Sequence, residues 1–197
     1  MKKLLLILPI IFLIGCKKTD NAVSSDDTNT EIVAIQEITG IISNWDSQTS
    51  NNVIWFCDGT STKLVSSTVN TDGSFRISLS TVKIPTLTAI STEGIPSGIY
   101  VSKANARLSS VCWPGFYDTD GFFREMTYRN DTYEYLYFYC DSDLILRGDV
   151  TNDGVRLNYD VTFKLGWNKI RSTILGSGNG TYKEMTNKII TDGIWIK

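Results

Sequence analysis

An all-β fold is predicted, and three observations predict it. Between Val155 and Leu165 apolar and polar residues alternate without a break, six on one side and five on the other. That period of two describes a half-buried strand, whereas a helix would scatter the same residues around its circumference. Phe75, Ile77 and Leu79 alternate in the same way with Ser74, Arg76 and Ser78. Asp-Gly then recurs at Asp72-Gly73, Asp120-Gly121, Asp153-Gly154 and Asp192-Gly193, each beside strand-like runs. The pair suits tight hairpins, because both central residues of a type I′ turn need positive φ. Gly166 and the Gly176–Gly180 cluster mark two more reversals, and short strands divided by such turns point to sandwiches or barrels.

The chain opens differently. Lys2 and Lys3 precede an apolar run of eleven residues, Leu4 to Ile14, followed by Gly15 and Cys16. Basic residues, a short apolar stretch and a small residue before a cut describe a secretory signal peptide over 1–15. The run is well short of the roughly 20 residues that cross a bilayer as a helix. Leu13-Ile14-Gly15-Cys16 resembles the bacterial lipobox, which implies that Cys16 is acylated and becomes the new N-terminus. Residues 16–31 are polar, lack aromatics and bury too little apolar area to fold alone, so they read as a lipidated, flexible tether. More than one acyl chain, at about 0.8 kcal/mol per buried methylene, makes such an anchor stable. Lys17, and not Asp, follows the cysteine; by resemblance to enteric lipoproteins this implies the outer membrane, on either its periplasmic or its outer face.

Beyond the tether, Pro85, Gly94, Pro96 and Gly98 cluster. They suggest a boundary near residue 92, between a domain at 32–92 and a β-rich domain at 93–197; a long loop within one sandwich is the alternative. In the first of these, Ile38-Thr39-Gly40-Ile41 and the later Asn70-Thr71-Asp72-Gly73-Ser74-Phe75 resemble the transthyretin-like, or carboxypeptidase-regulatory-like, modules of bacterial envelope proteins. That resemblance implies a small seven-stranded sandwich, a structural or ligand-presenting module and not an enzyme. In the second, Tyr135-Leu136-Tyr137-Phe138-Tyr139 and the run from Tyr159 to Gly166-Trp167-Asn168 are similar to lipoprotein domains of Bacteroidota and other bacteria. The expected architecture is thus a transthyretin-like N-terminal β-sandwich followed by a second antiparallel β-sandwich or barrel.

Composition narrows the chemistry. The formal net charge is −2, which argues against a nucleic-acid partner, since phosphate binding needs a concentrated basic surface. Histidine is absent from the sequence, which removes the usual general base and the commonest metal ligand. Carboxylate pairs remain able to hydrolyse glycosides, but no pair is marked out and no catalytic residue is named. Neither a cofactor nor a zinc site is expected. Asp118, Asp120 and Glu125 form only a fragment of a calcium loop, and Asp141, Asp143 and Asp149 serve equally well in turns.

Candidate binding residues are aromatic. Tyr133, Tyr135, Tyr137 and Tyr139 share one strand face, with Leu136, Phe138 and Cys140 on the other. Such a row either stacks against sugar rings or a partner protein, or packs as a ladder under a covering element. Trp113-Pro114-Gly115-Phe116-Tyr117 reads as a loop because of its Pro and Gly; Trp113, Phe116 and Tyr117 are then either exposed for a ligand or folded over the end of a sandwich. With Cys16 acylated, Cys57, Cys112 and Cys140 remain in an oxidising compartment. A Cys112–Cys140 disulfide is the preferred pairing, against three small buried thiols. These residues suggest a lipid-anchored envelope protein with a non-enzymatic binding role, for a glycan or for an envelope protein that it serves as accessory subunit.

Overall fold

The computed structural model describes residues 32–46, 52–90, 97–117, 120–130, 132–152, 154–175, 182–189 and 193–196. Cys16, the signal segment and the tether lie outside them, as do Asp118 and the Gly176–Gly180 cluster. The described residues belong to one compact unit, Ile32–Lys197. They contain sixteen strands and no helix, so the all-β prediction holds. In chain order the strands are β1 (Glu37–Ile41), β2 (Val53–Cys57), β3 (Lys63–Thr68), β4 (Ser74–Ser78), β5 (Leu87–Ala89), β6 (Ile99–Val101), β7 (Arg107–Ser109) and β8 (Trp113–Tyr117). They continue as β9 (Phe123–Glu125), β10 (Thr127–Arg129), β11 (Tyr133–Cys140), β12 (Leu144–Asn152), β13 (Val155–Phe163), β14 (Gly166–Leu175), β15 (Tyr182–Thr186) and β16 (Ile194–Ile196).

Three sheets result. β1 and β4 pair alone; β3, β2, β8 and β9 form a second sheet; and the third runs β16-β10-β11-β14-β15-β13-β12-β6, with β7 joined to β11 and β5 to β7. Asp153 lies outside the described residues; Gly154 takes a positive φ of 77°, and the strands pair from Asn152↔Val155 to Leu144↔Phe163. The Asp72-Gly73 turn also forms, with Gly73 at φ 82° and its N–H donating 3.0 Å to the Asn70 carbonyl. Its strands nevertheless part, keeping the Val69–Phe75 bridge and a hydrogen bond from the Ser67 hydroxyl to the Arg76 carbonyl at 2.6 Å, because β3 joins β2 while β4 joins β1. After β13 the chain reverses at Gly166, φ 108°, but β14 leaves to pair with β11. β15 returns into the gap, parallel to β13 and antiparallel to β14.

The boundary expected near residue 92 does not divide the fold. β2, before it, pairs with β8, after it, through Trp55↔Gly115 and Cys57↔Trp113. One buried cluster draws Ile54, Phe56 and Ile77 from one side of that residue and Tyr137, Trp167 and Trp195 from the other. A strand with a buried face needs a neighbour for it, and the first ninety residues do not supply enough of them.

The alternations of the sequence fix which residues enter the core. Phe75, Ile77 and Leu79 are buried while Arg76 and Ser78 are exposed. On β13 the inner end is buried at Val161 and Phe163, the outer end is only half-buried, and Leu165 lies beyond the strand and is exposed. The opposite face carries exposed cross-strand pairs, Arg147–Asp160 at 3.0 Å and Arg156–Asp149 at 3.3 Å. This is the solvated face that charge alternation predicts. β11 separates two cores: Tyr135 and Tyr137 enter the first cluster, and Phe138 and Cys140 enter the second with Val161, Phe163 and Ile170.

Candidate functional site

The tyrosine row faces inward. Tyr135 and Tyr137 are 4% and 2% exposed, and Tyr133 and Tyr139 are half-buried against the same cluster. The row is therefore the packed ladder and not an exposed platform. Phe56 meets the Tyr137 ring edge-on at 6.0 Å, Trp167 meets Tyr139 at 5.4 Å, and the Arg171 guanidinium lies 4.4 Å over Tyr133. Burial drives the Tyr137 hydroxyl far above the ordinary tyrosine pKa, so it stays neutral.

The Trp113 segment is a strand and not a loop. Trp113 is 5% and Phe116 8% exposed, and Pro114 is fully buried. Proline is tolerated in β8 because of where its missing donor falls. Met126 N–H donates to the Pro114 carbonyl at 2.8 Å, so that residue's backbone groups point to the β9 side. There they meet Met126, just past the last residue of β9, and only the end of a short ladder is affected. Gly115 is needed for space, since the Phe123 ring and the Arg124 carbonyl occupy the place of a Cβ. Tyr117, half-buried, donates its hydroxyl to the Ser61 carbonyl at 2.7 Å, while Lys63 lies 4.1 Å over its ring. It thereby pins the β2–β3 connection. In that connection burial works to raise the Asp58 pKa, but hydrogen bonds from Thr60 and Thr62 prevail and hold it below the usual carboxylate range.

The preferred disulfide is absent. Cys57, Cys112 and Cys140 are free and buried. Cys112 belongs to the first core and Cys140 to the second, so the sheet itself stands between their side chains. Burial raises the thiol pKa of Cys57 to about 11 and that of Cys112 to about 12. Three small buried thiols, the competing expectation, describe the site.

The acidic residues are engaged locally. Asp141 accepts from the Arg107 backbone N–H and side chain, both at 2.8 Å. Asp143 takes the Leu165 N–H at 2.9 Å and Lys164 at 3.1 Å. Among the described residues no three His, Cys, Asp or Glu side chains gather as a metal site would require. Among the described residues, Glu125 and Glu134 are the carboxylates whose pKa is raised. Burial raises both; at Glu134, Arg129 and Lys183 oppose it and Glu125 adds to it. Neither lines the groove described next.

That groove, of about 590 Å³, opens between β1 and the neighbouring β16-β10-β11-β14 edge of the large sheet. β1 is tied to this sheet at both ends: Ile35 N–H donates to Trp167 O at 2.8 Å, and Ser43 N–H to Trp195 O at 3.0 Å. Between the ties the two surfaces part. Glu37, Thr39 and Ile41 line one side, and Tyr128, Tyr135, Lys169 and Trp195 the other. Gly40 makes the close approach work, because the Trp195 indole fills the place of its absent Cβ. Trp195 is braced edge-on by Phe75 at 5.1 Å and, at a tilt, by Tyr128 at 5.5 Å. Tyr128 in turn stacks on Tyr135 at 5.5 Å. The Lys169 ammonium lies 4.5 Å from the Tyr135 ring centre. The Lys169 side chain reaches solvent, yet the groove desolvates its ammonium enough to lower the pKa.

Of the residues expected to bind, only Tyr135 and Tyr137 border the groove. Gly40, Thr39, Tyr128, Lys169 and Trp195 were not singled out as binding residues. Of these, only Thr39 and Gly40 carry a signal, the Ile38-Thr39-Gly40-Ile41 motif, which marks a strand but not its neighbour. No family model matches the chain, nor does any curated protein or solved structure.

Proposed function

We propose that this chain is an exported, lipid-anchored protein of the outer membrane that binds a ligand in the β1 groove without transforming it. The observation that carries the reading is the groove itself: an aromatic wall of Tyr128, Tyr135 and Trp195, with one lysine beside it and a strand edge opposite. Mixed apolar and polar linings of this size are what small binding sites present. The lipobox-like Leu13-Ile14-Gly15-Cys16 supports the anchor, and a sequence without histidine supports binding over catalysis.

A carbohydrate is one ligand class for such a wall. One observation favours the accessory-subunit reading beside it: Tyr135 has Tyr128 stacked on its ring and Lys169 over it as well, leaving little open face for a sugar. The test is a thermal-shift series on the full-length protein in detergent, against a glycan panel and a peptide panel. A ligand specific to the folded state adds about 2.7 kcal/mol at a hundredfold excess over Kd. The shift disappears in a folded Tyr128→Ala variant if the groove is the site; a shift that survives that substitution refutes the assignment. Acyl labelling of wild type and Cys16→Ser tests the anchor, and membrane retention of unlabelled Cys16→Ser overturns it.

A further inference from the structure

We infer that the groove receives an extended polypeptide segment of a partner protein, which adds as a strand to the free edge of β1 and brings a carboxylate to Lys169. This rests on the groove being the binding site, and it names the ligand class.

The backbone hydrogen bonds of β1 alternate in direction along the strand. Leu79 N–H donates to Gln36 O, and Ile42 N–H to Gly73 O. With the register Glu37↔Ser78 to Ile41↔Ser74, the even-numbered residues of β1 turn their backbone groups towards β4. The odd-numbered ones turn the other way. Ile35 and Ser43 do so and find partners in Trp167 and Trp195. Glu37 and Thr39 lie between them, pointing into the groove, and no backbone partner for their N–H and C=O groups occurs among the described residues. The parallel bridge between Ile42 and Trp195 also engages the Ile41 carbonyl, so the open edge runs from Ile35 to Ile41, about 20 Å of extended chain.

An open edge is ordinarily blunted by a proline, a bulge or an edge lysine. β1 reads Glu-Ile-Thr-Gly-Ile and has none of these, and its pairing with β4 runs without a register shift. Around the opening stand exposed apolar side chains instead: Ile41 at 65%, Ile189 at 55% and Ile194 at 52%. An added strand offers what this edge lacks, backbone donors and acceptors at the strand repeat, with alternate side chains for the apolar rim.

Charge decides the rest of the ligand. The groove is lined by two charged residues among those described, Glu37 and Lys169. Glu37 is already bonded to Arg76 at 2.7 Å. Lys169 rests on the Tyr135 ring and has no carboxylate partner among the described residues. A carboxylate on the incoming segment completes it, and a basic segment is repelled.

The test is a selection of random linear 12-residue peptides against the full-length protein in detergent micelles. Enriched peptides are expected to carry Asp or Glu within alternating β-branched residues and to slow amide exchange at Glu37 and Thr39. Lys169→Glu is expected to weaken them at least tenfold and to favour a Lys-bearing version of the same peptide. N-methylation at every second peptide residue, on the set facing β1, is expected to abolish binding, while methylation on the alternate set leaves it; this arm needs no change to the protein. Peptides indifferent to both changes, or a selection without enrichment, overturn the proposal. If a glycan binds in a Tyr128-dependent manner while no peptide does, the strand fails and the groove stands. If neither binds, both fail.

Discussion

Gly40 gives the sharpest test of how this fold is built. Its φ is not positive, so alanine meets no backbone strain, and in a strand interior Gly→Ala would ordinarily stabilise by about 0.5–1 kcal/mol. Here an added Cβ would lie 2.8 Å from Cε2 of Trp195 and nearer still to Nε1 and Cδ1. The indole is 4% exposed and held by Phe75 and Tyr128, so it has no free direction except into the groove. Overpacking of this kind costs about 1–3 kcal/mol, which outweighs the backbone gain. Net of the backbone gain, up to about 2.5 kcal/mol of destabilisation remains, which for a unit of this size is a fall in Tm of up to roughly 8 °C, at about 3 °C per kcal/mol. The assay is urea unfolding followed by circular dichroism, run as a double-mutant cycle with Trp195→Leu. In that background Gly40→Ala should be neutral or mildly stabilising, giving a coupling energy of about 1 kcal/mol or more. If Gly40→Ala is harmless in the wild type, or costs the same in both backgrounds, the contact does not govern this position.

Three further outcomes follow from packing and charge. Trp113→Ala should cost about 3–5 kcal/mol in urea unfolding, whereas an exposed loop tryptophan would cost within about 0.5 kcal/mol. Cys57, Cys112 and Cys140 should resist a thiol reagent at about pH 8 in the native protein and all react on denaturation, since burial keeps them protonated; two thiols missing from the denatured count would restore the disulfide. Burial holds the Glu134 pKa above the ordinary 4.5, so its contribution to stability is fully present below about that value and is lost as pH rises through the folded pKa. Glu134→Gln, uncharged throughout, should therefore gain on wild type as pH rises above about 4.5; a Tm difference that does not change with pH contradicts this.

What the sequence settled on its own was local. Alternation in 74–79 and in the inner half of 155–163 determined which side chains are buried, because successive residues of a strand point to opposite faces. Asp-Gly determined where the chain reverses, because glycine takes positive φ without a steric cost. The faces of β11 were separated correctly as well, but not which one is covered by what: tyrosine has an apolar body and a polar tip, so Tyr133 to Tyr139 read equally as ladder or platform. Tertiary structure alone decided that β1, β2 and β4 lie over the row, and that Cys112 and Cys140 fall on opposite sides of the sheet. It also decided that Pro114 fits a strand whose neighbour stops short, and that β15 slips between β13 and β14. The groove is of the same kind. It exists because Ile35 and Ser43 find Trp167 and Trp195 while Glu37 and Thr39 find no partner on that side among the described residues, a matter of pairing between segments more than 130 residues apart, which no local period records.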